Sequence, residues 1–136
     1  MVAEDTDQNK NEPVYNWENQ TILIVEDDLS SYRLLEALFQ RTKVNIIHAK
    51  AGEEAVEKCV NNPGIDLVLM DIQLPKMDGY EATQKIKAYR RNLPVIAQTA
   101  YAMEEEKVAC LKAGCDDYIS KPINKNQLLR MMNKFL

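Results

Sequence analysis

Four of the apolar runs in this chain stop on, or just before, a residue that can do chemistry. TILIV (residues 21–25) runs into Glu26, Asp27 and Asp28, IDLVLM (65–70) into Asp71, and LPVIAQ (93–98) into Thr99. CDDYI (115–119) reaches Lys121 after one further residue. If these runs are neighbouring strands with a common direction, three or four carboxylates, a hydroxyl and an ammonium converge beyond their carboxyl ends, where ligands bind in open α/β sheets. Two carboxylates about 5 Å apart repel by roughly 3 kcal/mol at an effective dielectric near 20, and a third adds to that, so such a group calls for a cation. Hard carboxylate oxygens with room for water and phosphate oxygens suit Mg2+, with Mn2+ as the alternative occupant. An aspartate beside that ion can attack a phosphoryl group while the metal and a lysine neutralise the transferring oxygens. The charges balance: Glu26, Asp27 and Asp71 bring three negative charges, which Mg2+ and Lys121 offset.

The elements that must position these residues are legible from periodicity. A fifth strand-like run, KVNIIH (43–48), lies between the first and the third of the set. Helix-length stretches separate the runs, with apolar residues three or four apart: Leu34, Leu35, Leu38 and Phe39; Ala55, Val56, Cys59 and Val60; Ala82, Ile86 and Tyr89. A fourth helix is expected over 102–113, with Gly114 as its left-handed cap, and a fifth carries Leu128, Leu129, Met132 and Phe135. Asp28 follows the acidic pair and reads as the cap of the first helix, outside the metal set. Strict strand and helix alternation implies a parallel sheet covered on both faces, a doubly wound α/β fold.

The chain as a whole has 136 residues, 46% hydrophobic and 28% charged, which suits one soluble domain with a real core. Its apolar runs are too short to cross a bilayer, so no membrane insertion of this segment is expected. A net charge of -4 disfavours direct binding of nucleic acid. Cys59, Cys110 and Cys115 are odd in number and lack CxxC spacing, as expected of reduced thiols in the cytoplasm. Residues 1–20 are polar and acidic without an apolar core for a signal peptide, and read as a leader or linker before a domain at 21–136. Trp17, an aromatic in that leader, is expected to pack modestly. His48, the lone histidine, ends the second run away from the site and reads as structural. Glu104 to Glu106 reads as a solvated helix face.

ILIVEDD, LVLMDIQLPKMDGYEA, LPVIAQTA and AGCDDYISKPI together resemble the receiver domain of two-component response regulators, over residues 21–136. The resemblance implies a flavodoxin-like (βα)5 fold of five parallel strands in the order 2-1-3-4-5. It makes Asp71 the phosphoacceptor, Asp27 a direct Mg2+ ligand, Glu26 an acidic partner acting through metal-bound water, and Gln73 a backbone carbonyl ligand. Thr99 would hydrogen-bond the phosphoryl group, Lys121 would pair with it, and Tyr118 would be the aromatic that switches position. Lys121-Pro122 matches a Lys-Pro pair that is typically cis, and Pro75 and Gly79 shape the loop after Asp71. Gln73 and Tyr101 occupy positions that tune loss of the phosphoryl group.

The implied function is a phosphorylation-controlled switch and no turnover enzyme. A histidine kinase or histidine phosphotransfer protein would donate the phosphoryl group, and the fourth helix, fifth strand and fifth helix would form the output face. Phosphorylation-dependent dimerisation is compatible with it. The polar leader and the segments around Asp71 and Thr99 look like the carboxyl-terminal receiver of a hybrid sensor kinase, and the chain's end at the fifth helix leaves a stand-alone receiver as the other expectation. Three rival readings remain. An aspartate-nucleophile phosphatase would place its nucleophile in a DxD after the first strand, where this chain has EDD. An FMN binder would need a phosphate loop where Glu26, Asp27 and Asp28 repel phosphate. A degenerate receiver would act by binding alone.

Overall fold

The computed structural model describes residues 14–100 and 103–136. The chain alternates β1 (Thr21–Val25), α1 (Leu29–Phe39), β2 (Asn45–Ala49), α2 (Gly52–Asn61), β3 (Leu67–Asp71), α3 (Gly79–Tyr89), β4 (Val95–Thr99), α4 (Glu104–Ala113), β5 (Asp117–Ser120) and α5 (Lys125–Asn133), with a 3-10 turn at Gln40–Thr42 after α1. The strands form one sheet in the order β2-β1-β3-β4-β5, and every pairing is parallel. This is the doubly wound α/β fold expected from the alternation.

Strand starts differ from the apolar runs because the leading residues do other work. Lys43 closes the 3-10 turn at φ 63°, so β2 begins at Asn45. Asp66 precedes β3 and accepts the Thr21 N–H at 2.8 Å, while Asp116 precedes β5, accepts the Val95 N–H at 2.8 Å and pairs with Lys87 at 2.6 Å. These carboxylates anchor the amino ends of neighbouring strands, the end opposite the acidic cluster.

Alternation along each strand divides the core in two. Leu23, Val25, Val68, Met70, Val95 and Ala97 face α2, α3 and α4. Ile22, Ile24, Leu67, Leu69 and Ile96 face α1 and α5, meeting Leu35, Phe39, Leu128 and Met132. The helical periodicity overcounted the buried face: Leu34 is 73% exposed and Tyr89 62%, and Val60 is also exposed. α1 turns Leu35 and Phe39 inward, and Leu34 lies one step round the helix from them, beyond the covered stripe. Thr83 takes the inward place on α3, with its hydroxyl donating to the Gly79 carbonyl at 2.7 Å. Phe135 follows the end of α5 and is half-buried.

Trp17 packs far more deeply than expected of a leader aromatic, being 4% exposed in the α1/α5 core and stacked on Tyr15. Its N–H donates to the Thr42 carbonyl at 2.7 Å, so this segment closes the base of that core. Asp28, Asp78 and Asn124 cap α1, α3 and α5 through their side chains, and Gly114 ends α4 at φ 100°, as its sequence position predicts. The three cysteines are free and buried, and burial pushes the Cys59 thiol up to about 11 and Cys115 up to about 12. At neutral pH both stay protonated and behave as apolar groups.

Candidate functional site

Strand parity selects the residues that meet. Glu26 follows Ile22 and Ile24 in alternation, Asp71 follows Leu67 and Leu69, Gln98 follows Ile96, and Lys121 follows Ile119, so all four extend the α1/α5 side of the sheet beyond its carboxyl edge. Glu26 is 1% exposed and Asp71 3%, whereas Asp27, one step out of phase, is exposed. Carboxylate oxygens of Glu26, Asp27 and Asp71 lie within 4.8 Å of one another.

Lys121 answers part of this charge. Its Nζ stands 3.6 Å from Glu26 Oε1 and 3.4 Å from Asp71 Oδ2. Asp71 Oδ1 accepts the Gln73 N–H at 3.0 Å, and Glu26 Oε2 accepts the Asp28 N–H at 3.2 Å. Glu26 Oε1 is buried and has no hydrogen-bond donor among the described residues. Burial first, and the Asp71 charge second, push the Glu26 carboxyl up to about 7. Clustered carboxylates, a buried acceptor without a donor and one lysine leave negative charge in excess, which fits a hard divalent cation bound through oxygen.

The loop after Asp71 is held by close backbone approach. The Gly79 N–H donates to the Ile72 carbonyl at 3.0 Å, and a Cβ on Gly79 would fall 2.4 Å from the Asp71 carbonyl oxygen and 2.7 Å from Ile72 Cα. Only glycine lets the start of α3 pass so near the end of β3. On the other side, Asp28 Oδ2 caps α1 by accepting from Ser31 N and Oγ at 2.9 and 2.8 Å, which fixes the segment that carries Glu26 and Asp27.

Thr99 and Tyr118 lie on the opposite side of the sheet, in phase with Val95 and Ala97. Tyr118 is in register with Ala97 on the neighbouring strand and packs half-buried against that core. Thr99 is 1% exposed at the end of β4, and its carbonyl accepts the Lys121 N–H at 2.8 Å. The Lys121-Pro122 peptide is cis. Tyr101 lies outside the described residues. Thus Glu26, Asp27, Asp71 and Lys121 come together, Gln73 touches them through its backbone, and Thr99 and Tyr118 lie across the sheet from them, on neighbouring strands and two register positions apart.

Two neighbours escaped the sequence reading. Gln98 sits inside the apolar run LPVIAQ, yet it shares the Asp71 face, and its Nε2 is buried without a hydrogen-bond acceptor among the described residues. Period-two counting back from Asp71 could have placed it there. Gln98 and Glu26 line a cleft of about 240 Å3 between α1, which contributes Leu34 and Leu35, and the segment Lys121 to Ile123 ahead of α5. His48 is also nearer the site than expected, for its Nε2 lies 2.8 Å from the Glu26 carbonyl oxygen.

Comparison with known proteins agrees with this geometry. Residues 22–133 match the model of the response regulator receiver domain, and the chain belongs to that family. The sensor protein GacS of Pseudomonas syringae pv. syringae is 37% identical over 119 residues, a match covering 84% of this chain and 13% of that protein. The chain therefore spans only a small part of that relative. The receiver domain of sensor histidine kinase PA1611 from Pseudomonas aeruginosa PAO1, solved with a magnesium ion coordinated in its active site cleft, superposes with a TM-score of 0.79 at 34% identity. That match covers 86% of this chain and 97% of the other. A co-crystal structure of the Saccharomyces cerevisiae histidine phosphotransfer protein Ypd1 with the receiver domain of Ssk1 matches with a TM-score of 0.82 at 28% identity, covering 90% and 91%. Among the described residues of this chain, no helix is long and apolar enough to cross a membrane.

Proposed function

We propose that this domain is a phosphorylation switch in which Asp71 accepts a phosphoryl group from a phosphohistidine of a histidine kinase or histidine phosphotransfer protein. The observation that carries this reading is Asp71 itself, buried at the carboxyl edge of the central strand with Lys121 Nζ 3.4 Å from one oxygen and the Gln73 N–H on the other. Glu26, Asp27, Asp71 and the Gln73 carbonyl would hold Mg2+, or Mn2+ in its place. When bound, the ion supplies positive charge against the phosphoryl oxygens. The magnesium in the PA1611 receiver supports this assignment.

A carboxylate oxygen of Asp71 attacks phosphorus, the N–P bond of the phosphohistidine breaks, and the imidazole leaves with the electron pair and takes up a proton. Lys121 pairs with the transferred oxygens, and Thr99 donates its hydroxyl to one of them. Movement of Thr99 toward the phosphoryl group opens space on the side where Tyr118 packs, which shifts the population of α4, β5 and α5 arrangements. This face is the output surface, whether it meets another protein or a second copy of the domain. The domain serves as a phosphoacceptor and not as a turnover enzyme. The likeness to receivers of sensor kinases further supports placing it at the carboxyl end of such a kinase, in the cytoplasm. A native protein no heavier than 15.6 kDa on an immunoblot would overturn that placement.

The test is incubation with acetyl phosphate, with and without Mg2+, followed by intact mass. Wild type is expected to gain one phosphoryl group only with Mg2+, and Asp71→Asn none. Equal uptake by the variant would overturn the reading. Wild type that binds Mg2+ but takes no phosphoryl group from either acetyl phosphate or a partner kinase would make the domain a receiver that acts by binding alone.

A further inference from the structure

We propose that His48 is a positioning residue for the acidic pair, holding the Glu26-Asp27 peptide in the orientation that presents both carboxylates to the cation. The inference rests on the phosphoacceptor reading and adds to it a residue on the edge strand. In the parallel pair of β1 and β2, Val25 is in register with Ala49, and the Glu26 N–H donates to the Ala49 carbonyl at 2.9 Å. Continuing that ladder, the Glu26 carbonyl would accept next from the Ala51 N–H. β2 has ended at Ala49, however, and Ala51 is already the cap residue of α2. The ladder runs out one bond short, at the peptide that joins Glu26 to Asp27.

His48 supplies the missing donor from its side chain, with Nε2 2.8 Å from the Glu26 oxygen. A carbonyl only accepts, so Nε2 carries hydrogen. The imidazole is itself held, stacked on the Tyr32 ring of α1 with centroids 3.6 Å apart and planes 7° from parallel. Glu26 is thus held on both sides, its N–H by the ladder and its carbonyl, which belongs to the peptide leading to Asp27, by an oriented ring. Asp28 is fixed on the far side by its cap on α1 and by its N–H to Glu26 Oε2, so the orientation of the peptide between them sets where the exposed Asp27 carboxylate stands relative to Glu26 and Asp71. The ring therefore acts on the site through backbone orientation and touches no transferring atom.

Two variants separate the donor from the ring. His48→Phe keeps an aromatic ring against Tyr32 and removes the donor, whereas His48→Gln keeps a donor of similar reach and removes the ring. Mg2+ affinity, measured by calorimetry on folded protein, is expected to fall about fivefold in His48→Phe, the factor typical of one lost hydrogen bond, and to recover to within about twofold of wild type in His48→Gln. Phosphorylation by acetyl phosphate should follow the same split: the Mg2+ concentration for half-maximal rate rises in His48→Phe, while the rate at saturating Mg2+ stays within about twofold. In metal-free protein the Asp27 amide should exchange faster in His48→Phe alone. Unchanged Mg2+ affinity in His48→Phe, or equal loss in both variants, would overturn the inference. Wild type that binds no Mg2+ would instead defeat the phosphoacceptor reading, so the two failures are distinct.

Discussion

Glu26 is where folding and function pull in opposite directions. Its carboxyl goes from ordinary acidity in the unfolded chain, near 4.5, up to about 7 in the folded, metal-free protein. The folded state therefore binds the extra proton, and the stability this contributes is full below pH 4.5 and is lost as pH rises through 7. Denaturant titrations of metal-free protein should show stability falling across that window by at most about 3 kcal/mol. Glu26→Gln should flatten the fall and exceed wild type in stability above pH 7, at the cost of Mg2+ binding. A slope as steep in the variant as in wild type would assign it to other groups. Tyr101, two residues past Thr99, belongs to the same scale: the family resemblance gives its position a part in tuning loss of the phosphoryl group. Tyr101→Ala should shorten the phosphorylated lifetime measured by decay of the mass-shifted species, and an unchanged decay rate would remove that role.

At the level of elements, the site depends on one close approach. The start of α3 passes the end of β3 with no space for a side chain at Gly79, so Gly79→Ala must displace the Asp71-Ile72 backbone or the helix. A loss of about 1–3 kcal/mol is expected from overpacking of this kind, measured by urea unfolding. Because the displaced atoms belong to the phosphoacceptor's own peptide, phosphoryl uptake should slow in the fraction that remains folded. A variant of wild-type stability and uptake would show that the loop yields without moving Asp71. Helix faces show what pattern alone leaves open. On α1, Leu34 and Leu35 are equally apolar, yet only Leu35 is covered, because α5 and the sheet reach one side of the helix and stop at the cleft beside Glu26.

For the whole molecule, the sheet separates chemistry from response. Asp71, Glu26 and Lys121 extend one side, while Thr99 and Tyr118 share the other with α4. On the proposed mechanism, Thr99 is the link across the sheet edge. Thr99→Ala should still accept a phosphoryl group at Asp71, but phosphorylation should no longer change amide hydrogen exchange in α4, β5 and α5 as it does in wild type. A phosphorylation-dependent change of full size in the variant would place the link elsewhere.

The fold class and the convergence of Glu26, Asp27, Asp71 and Lys121 were legible in the sequence because both are written locally. Apolar runs of strand length, their spacing by amphipathic helices, and the polar residue at each carboxyl end require no knowledge of what lies across the sheet. The resemblance carried by ILIVEDD, LVLMDIQLPKMDGYEA and SKPI then supplied the strand order. What only the tertiary structure decided are meetings between distant segments. Parity at the strand ends set Gln98 beside Glu26 and left Thr99 facing the other way, and the early end of β2 put the His48 ring on the Glu26 carbonyl. Trp17 became a core residue because the α1/α5 layer is open at its base until that side chain closes it. Local pattern determines which residues can form an element. Register across strands and the coverage of each face determine which of them touch, and neither is encoded within a single segment.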